Sequence, residues 1–176
     1  MLTKDLIIRC LKRLGEELKK IDMNGEILLA GGAAMCLVHS ARDMTKDIDA
    51  LYEPKTVINK LTKIIAEQEN VPEDWLNDGV KGYIGDNVPV DEFLVFDSLK
   101  VNVVAPEYLL SMKLMSSRYG ETDADDILFL LNKLHINTFD EAISILTSFY
   151  PQKMIMPKTI YFLQECIEAN ETKSRE

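Results

Sequence analysis

Only three cysteines, two histidines and one tryptophan occur among the 176 residues. Cys10, Cys36 and Cys166 are odd in number, widely spaced and without a C-x-x-C pair, so free thiols in a reducing compartment are expected rather than a disulfide framework. With His39 and His135 as the only histidines, a structural zinc site lacks the ligands it needs. No apolar run approaches the roughly 18 residues that a membrane-spanning helix requires. Lys4 and Asp5 put charge where a secretory leader carries its apolar segment, so the expected setting is cytoplasmic. Basic residues are also short: 20 Lys and Arg stand against 29 Asp and Glu, for a net charge of −9. A general nucleic-acid coat needs a basic footprint and is disfavoured. The acidity is local, because Glu67 to Asp97 holds nine acidic residues and Lys81 alone on the other side. A metal can still bring a phosphate to such carboxylates.

What is present is an ordinary globular composition, 47% apolar and 28% charged, in a chain long enough for one core or a core with an appended lobe. Leu6, Ile7, Cys10, Leu11, Leu14 and Leu18 recur at helical spacing, predicting a helix over 3–20 with Thr3 as its cap. Ile27–Ala30 reads as a buried strand ending at Gly31-Gly32, and Ile48–Tyr52 as a second strand. A helix over 55–68 follows, then a loop stretch over 70–89 with a short strand near Tyr83. Phe93–Phe96 and Leu99–Val104 are predicted strands. From Pro106 the pattern turns helical to the end, with capping boxes predicted at Thr122/Asp125 and Thr138/Glu141. The expected architecture is α+β: a mixed-sheet core over 1–105 and a helical lobe over 106–176 packed on it. Met112, Met115, Met154 and Met156 are read as packing, and Trp75 and Tyr83 as covering the sheet, with base stacking as the alternative.

The chemistry concentrates between Leu28 and Leu51. A strand that ends in two glycines before a helix lets phosphates approach bare backbone N–H groups. Asp47 and Asp49 follow at i and i+2 in a predicted strand, where alternation puts both carboxylates on one face. Mg²⁺ is commonly held by one or two carboxylates, with triphosphate oxygens and water completing its shell. Together these features point to phosphoryl or nucleotidyl transfer.

The strand–Gly31-Gly32–helix–Asp47-Ile48-Asp49 run resembles the signature of the nucleotidyltransferase superfamily with the DNA polymerase β-like fold. Thr45-Lys46-Asp47-Ile48-Asp49 is similar to the form found in its small bacterial branch of minimal nucleotidyltransferases and abortive-infection toxins. The likeness continues over Ala105–Arg118 and Asp123–Ile127, and covers about residues 26–134. It implies Mg²⁺ or Mn²⁺ on Asp47 and Asp49. It also implies triphosphate contacts from Gly31, Gly32, Thr45 and Lys46, charge neutralisation by Lys113 and Arg118, and a base at Asp126. The implied reaction moves NMP from an NTP to an acceptor hydroxyl of a tRNA, a protein or a small molecule. A cognate antitoxin or a second copy of the chain is the implied partner. The superfamily carries a third carboxylate on a later strand, but Leu99–Val104 holds none, and Asp91 and Asp97 are the available candidates. That departure leaves a silent nucleotide-binding module or toxin–antitoxin component as the alternative. An aspartate-nucleophile phosphatase is a weaker rival, because Leu51 stands where that motif wants Thr or Val.

Overall fold

The computed structural model describes the chain except for 42, 83, 86, 87, 117–120 and 174–176, and except for the side chains of 121, 122 and 171–173. In chain order the strands are β1 (Leu2–Thr3), β2 (Gly25–Leu29), β3 (Met44–Thr45), β4 (Ile48–Glu53), β5 (Leu76–Asn77), β6 (Val90–Phe96) and β7 (Leu99–Val104). The helices are α1 (Lys4–Lys20), α2 (Gly31–Leu37), α3 (Lys55–Glu69), α4 (Pro106–Ser116), α5 (Glu121–Lys133), α6 (Phe139–Phe149) and α7 (Pro157–Lys173). Two compact units result, one of Met1–Ile84 with Pro89–Val104 and one of Gly85–Val88 with Ala105–Glu176.

The first unit is built on a five-stranded mixed sheet ordered β5-β4-β2-β7-β6. β2 runs antiparallel to β4 and parallel to β7, as an α+β core requires. Ile27, Leu29, Ile48, Ala50, Val101 and Val103 alternate onto one face and are fully or almost fully buried. That face is covered by α1 and α3. An added Cβ on Gly25 would meet Leu18 of α1 at 2.8 Å and Ile58 of α3 at 3.4 Å. Glu69 of α3, whose side chain is only 7% exposed, receives both Arg9 and Arg13 of α1. Those guanidiniums, the Arg9 hydrogen bond foremost, hold the Glu69 carboxyl below its usual range. Thr3 caps α1 by accepting from the Leu6 N–H, as its sequence position predicts. The opposite face of the sheet carries Glu26, Leu28, Asp49, Leu51, Glu53 and Asn102, and it is the face with the chemistry.

Several expectations are corrected. The short strand of the loop stretch is Leu76–Asn77, and Tyr83 lies outside the described residues. Trp75 is fully buried, in line with its reading as packing, and its indole N–H donates to the Thr62 carbonyl at 3.0 Å, which removes only the base-stacking alternative. Met154 and Met156 are 52% and 53% exposed rather than packed, on a 3₁₀ turn and the link to α7. α5 spans Glu121–Lys133, so Thr122 falls within the helix range, and its side chain lies outside what is described.

The second unit is helical. The capping box at Thr138 and Glu141 forms as predicted and starts α6. Tyr108 of α4 meets Phe149 edge-on with ring centroids 5.0 Å apart, and its hydroxyl accepts from the Gly85 N–H at 2.8 Å. Leu109, Leu114, Ile127, Leu131, Leu146 and Leu163 are fully buried and form its core. The three cysteines are free and buried. Burial pushes the Cys10 and Cys166 thiols up to about 11, so neither is a nucleophile at neutral pH. Among the described residues no helix is long and apolar enough to cross a membrane.

Candidate active site

β2 ends at Leu29, and Gly31 starts α2 with φ +56°, a left-handed conformation that a side chain resists. The Ala30 N–H donates to the Asp49 carbonyl at 3.0 Å, clamping this turn to β4. An added Cβ on Gly31 would lie 3.1 Å from Asp49 Oδ2, so bare backbone abuts the carboxylate. A second glycine flanks the same group, since a Cβ on Gly79 would lie 3.5 Å from Asp49 Oδ1. Gly79 is brought there by β5, which pairs in parallel with β4 through Asp49 and Asn77. Asn77 Oδ1 accepts from the Gly79 N–H at 2.9 Å and fixes the 3₁₀ turn over Gly79–Gly82. Sequence reasoning missed Asn77 and Gly79, because a parallel pairing of two residues leaves no periodic trace.

Asp49 is half-buried on the open sheet face. Asp47 is half-buried too, and lies one residue ahead of β4 rather than within it. Thr45 is 4% exposed and donates its hydroxyl to the Asp47 carbonyl at 3.2 Å, so it shapes the Asp47 loop from beneath. Lys46 is exposed, and Gly32 is half-buried in the first turn of α2.

Neither proposed third carboxylate stands beside Asp49. Asp91 pairs with Val103, which pairs with Leu29, which pairs with Ala50; that row belongs to the helix-covered face, opposite to Asp49. Asp97 lies in the turn between β6 and β7, next to Ser98, whose carbonyl accepts from the Gly25 N–H at 2.8 Å. Gly25 opens β2, so this turn is a full strand, about 17 Å, from the Gly31 end. Asp97 is bound there by Lys19, which holds its carboxyl below the usual range. On the open face, Asn102 and Val104 of β7 stand where an acid would be needed. Among the described residues no three His, Cys, Asp or Glu side chains group to hold a metal ion.

The pair that remains still fits a hard cation. Two carboxylates offer only oxygen ligands. Mg²⁺ and Mn²⁺ suit such a set when substrate phosphates complete the shell.

In the second unit Lys113, Asp123 and Asp126 come together. The Lys113 ammonium lies 2.7 Å from Asp126 and 3.1 Å from Asp123, and the side chains of Lys113 and Asp126 are 12% and 6% exposed. Arg118 lies outside the described residues.

A five-stranded mixed sheet with a glycine turn set against a strand carboxylate defines the α+β architecture of the first unit. The family described as nucleotidyltransferase of unknown function (DUF6036) matches residues 9–154, and the chain belongs to it. No curated protein and no solved structure matches the chain.

Two predictions arise at this site. Gly31→Ala forces a side chain into the left-handed region and against Asp49, which should cost about 1–2 kcal/mol in stability. It should also weaken NTP binding about tenfold by displacing that carboxylate, measured by denaturant melts and by titration with a non-hydrolysable NTP. Unchanged affinity would show that Gly31 does not border the phosphates.

The second concerns Asp78, which joins the Gly79 turn to α3 through Lys55. The Lys55 hydrogen bond holds the Asp78 carboxyl below its usual range. A depressed carboxyl stabilises the fold above its unfolded pKa, about 3.9, and that contribution is lost as pH falls through the lower folded value. The protection factors of the Gly79–Lys81 amides, with intrinsic exchange divided out, should therefore fall below about pH 4. In Asp78→Asn they should already be low, relative to wild type, at neutral pH. Equal protection in both proteins would contradict this.

Proposed function

We propose that the chain transfers a nucleoside monophosphate from an NTP to an acceptor hydroxyl. The observation that carries this is the Asp49 carboxylate lodged between the bare backbones of Gly31 and Gly79, in a member of a nucleotidyltransferase family. Asp47 and Asp49 would hold Mg²⁺ or Mn²⁺, which when bound neutralises charge on the phosphates and favours the deprotonated acceptor. Gly31 and Gly32 leave the backbone open to the triphosphate, and exposed Lys46 can reach its outer oxygens. Thr45 positions Asp47 from below. The roles that resemblance gives to Lys113 and Asp126 require their mutual ion pair to open, since each now neutralises the other. Three buried free thiols fit a cytoplasmic setting.

The test is label transfer from α-labelled NTPs, with Mg²⁺ or Mn²⁺, to tRNA, to protein and to small hydroxyl compounds. Labelled product with pyrophosphate release supports the reading and sorts the acceptors. A second reading is favoured by Asn102 and Val104 standing where a third acid would be. It makes the chain a silent nucleotide binder or toxin–antitoxin component, recognised by metal-dependent NTP affinity without pyrophosphate release.

A further inference from the structure

The open face of the sheet continues past Asp49. Leu51 stands two residues further along β4, about 7 Å away. It pairs with Leu28 of β2, which in turn pairs with Asn102 of β7. With Glu26, Glu53 and Val90 these residues line a cavity of about 250 Å³. Sites for drug-sized ligands run from about 300 to 1,000 Å³, so this one suits a compact molecule of about one ring. Leu28 and Leu51 are half-buried and Val90 is 48% exposed, giving the cavity an apolar floor.

Its polar groups are acceptors. Glu26 and Glu53 are direct partners across β2 and β4, where like charges repel. Asn102 Nδ2 donates to Glu26 Oε1 at 2.6 Å, and the Lys55 backbone N–H donates to Glu53 Oε2 at 3.0 Å. Each bond orients a carboxylate and leaves its second oxygen without a partner among the described residues. Asn102 is only 7% exposed, yet its side-chain carbonyl accepts none of the hydrogen bonds formed among the described residues. The nearby cations form their ion pairs with other carboxylates, although the Lys55 ammonium also acts on Glu53 through space. Lys100, beside Glu26 in register, lies 3.4 Å from Glu92, and the Lys55 ammonium is held by Asp78. Three unfilled acceptors around one small cavity match the three donors of an ammonium group and repel a phosphate.

We propose that this cavity is an acceptor subsite for a compact primary amine that bears a hydroxyl. The ammonium sits among Glu26, Glu53 and Asn102, and the hydroxyl points along β4 toward Asp49. Only the role of the hydroxyl rests on the transferase reading above. In that role its oxygen bonds to the α-phosphorus, the bond from that phosphorus to the bridging oxygen breaks, pyrophosphate leaves with the electron pair, and the hydroxyl proton passes to solvent.

Methyl NMR of the full chain tests the site directly, with glucosamine as the probe and N-acetylglucosamine as the uncharged control. Glucosamine should shift the Leu28, Leu51 and Val90 methyls saturably, and the control should not. Glu26→Gln and Glu53→Gln, both at exposed positions, should each weaken that binding about tenfold, the loss of one charge-assisted hydrogen bond. No shift with glucosamine, equal shifts with the control, or binding untouched in both variants overturns the proposal. Broadening of the same methyls by tRNA instead would assign the face to nucleic acid and overturn it as well. Titration of the same samples with a non-hydrolysable NTP and Mg²⁺ reads the Asp49 site separately. Glucosamine binding without NTP binding would sink the transferase reading alone, and NTP binding without glucosamine binding would sink the subsite alone.

Discussion

Asp49→Asn is expected to abolish metal-dependent affinity for NTP while leaving the fold intact. Asparagine has the size of aspartate, so the close approach of Gly31 and Gly79 is preserved. What is lost is the charge that, on the proposed function, would draw the cation and through it the triphosphate. Removing even an outer partner of a metal ligand costs about 10–100-fold in metal affinity. Loss of a direct ligand should reach at least the upper end of that range. Calorimetric titration with a non-hydrolysable NTP should show about a hundredfold weaker binding in Mg²⁺, with a Tm within about 4 °C of wild type. Wild-type affinity in a folded Asp49→Asn protein would remove this carboxylate from the nucleotide site.

Lys113→Met should strongly destabilise the helical unit. The Asp126 side chain is 6% exposed with the Lys113 ammonium 2.7 Å away, and Asp123 lies 3.1 Å from the same ammonium. Deleting one partner of a buried ion pair costs about 3–5 kcal/mol. Replacing both, as Lys113→Met with Asp126→Leu, should recover part of that loss, because the buried carboxylate goes with its ammonium while the more exposed Asp123 keeps its charge. Urea melts of the two single variants and the double variant measure the coupling. A single variant as stable as wild type would show that the pair contributes nothing to the fold. The double variant also separates architecture from chemistry. If folded and transfer-competent, it assigns the pair to structure; if folded and inactive, it supports the roles that resemblance gives to Lys113 and Asp126.

Local signals were the ones readable in advance. The spacing of Leu6 to Leu18, the Thr3 cap, the Thr138/Glu141 capping box and the Gly31-Gly32 stop each act within a few residues, and each forms. The Asp47/Asp49 doublet was visible for the same reason. What escaped depends on distant partners. Asn77 and Gly79 reach Asp49 only through a two-residue parallel pairing of β5 with β4. Asn102 meets Glu26 across 76 residues of chain. Composition offered Asp91 and Asp97 as third acids, but register decides which face a strand residue takes, and it places Asp91 on the wrong side. The stacking alternative for Trp75 fails for the same reason, since the Thr62 carbonyl that its indole N–H meets belongs to another element. Met154 and Met156 carry apolar side chains, and nothing local told that their turn would face solvent.

The most direct test of the account follows the α-phosphate. Wild-type chain and the Asp47→Asn/Asp49→Asn variant are incubated side by side with each α-labelled NTP, Mg²⁺ and a panel of acceptors including tRNA and glucosamine. The account predicts label in an acceptor and equimolar pyrophosphate with wild type, and neither with the variant. Label transfer that survives in the variant, or none from a wild-type protein that binds NTP, would contradict it.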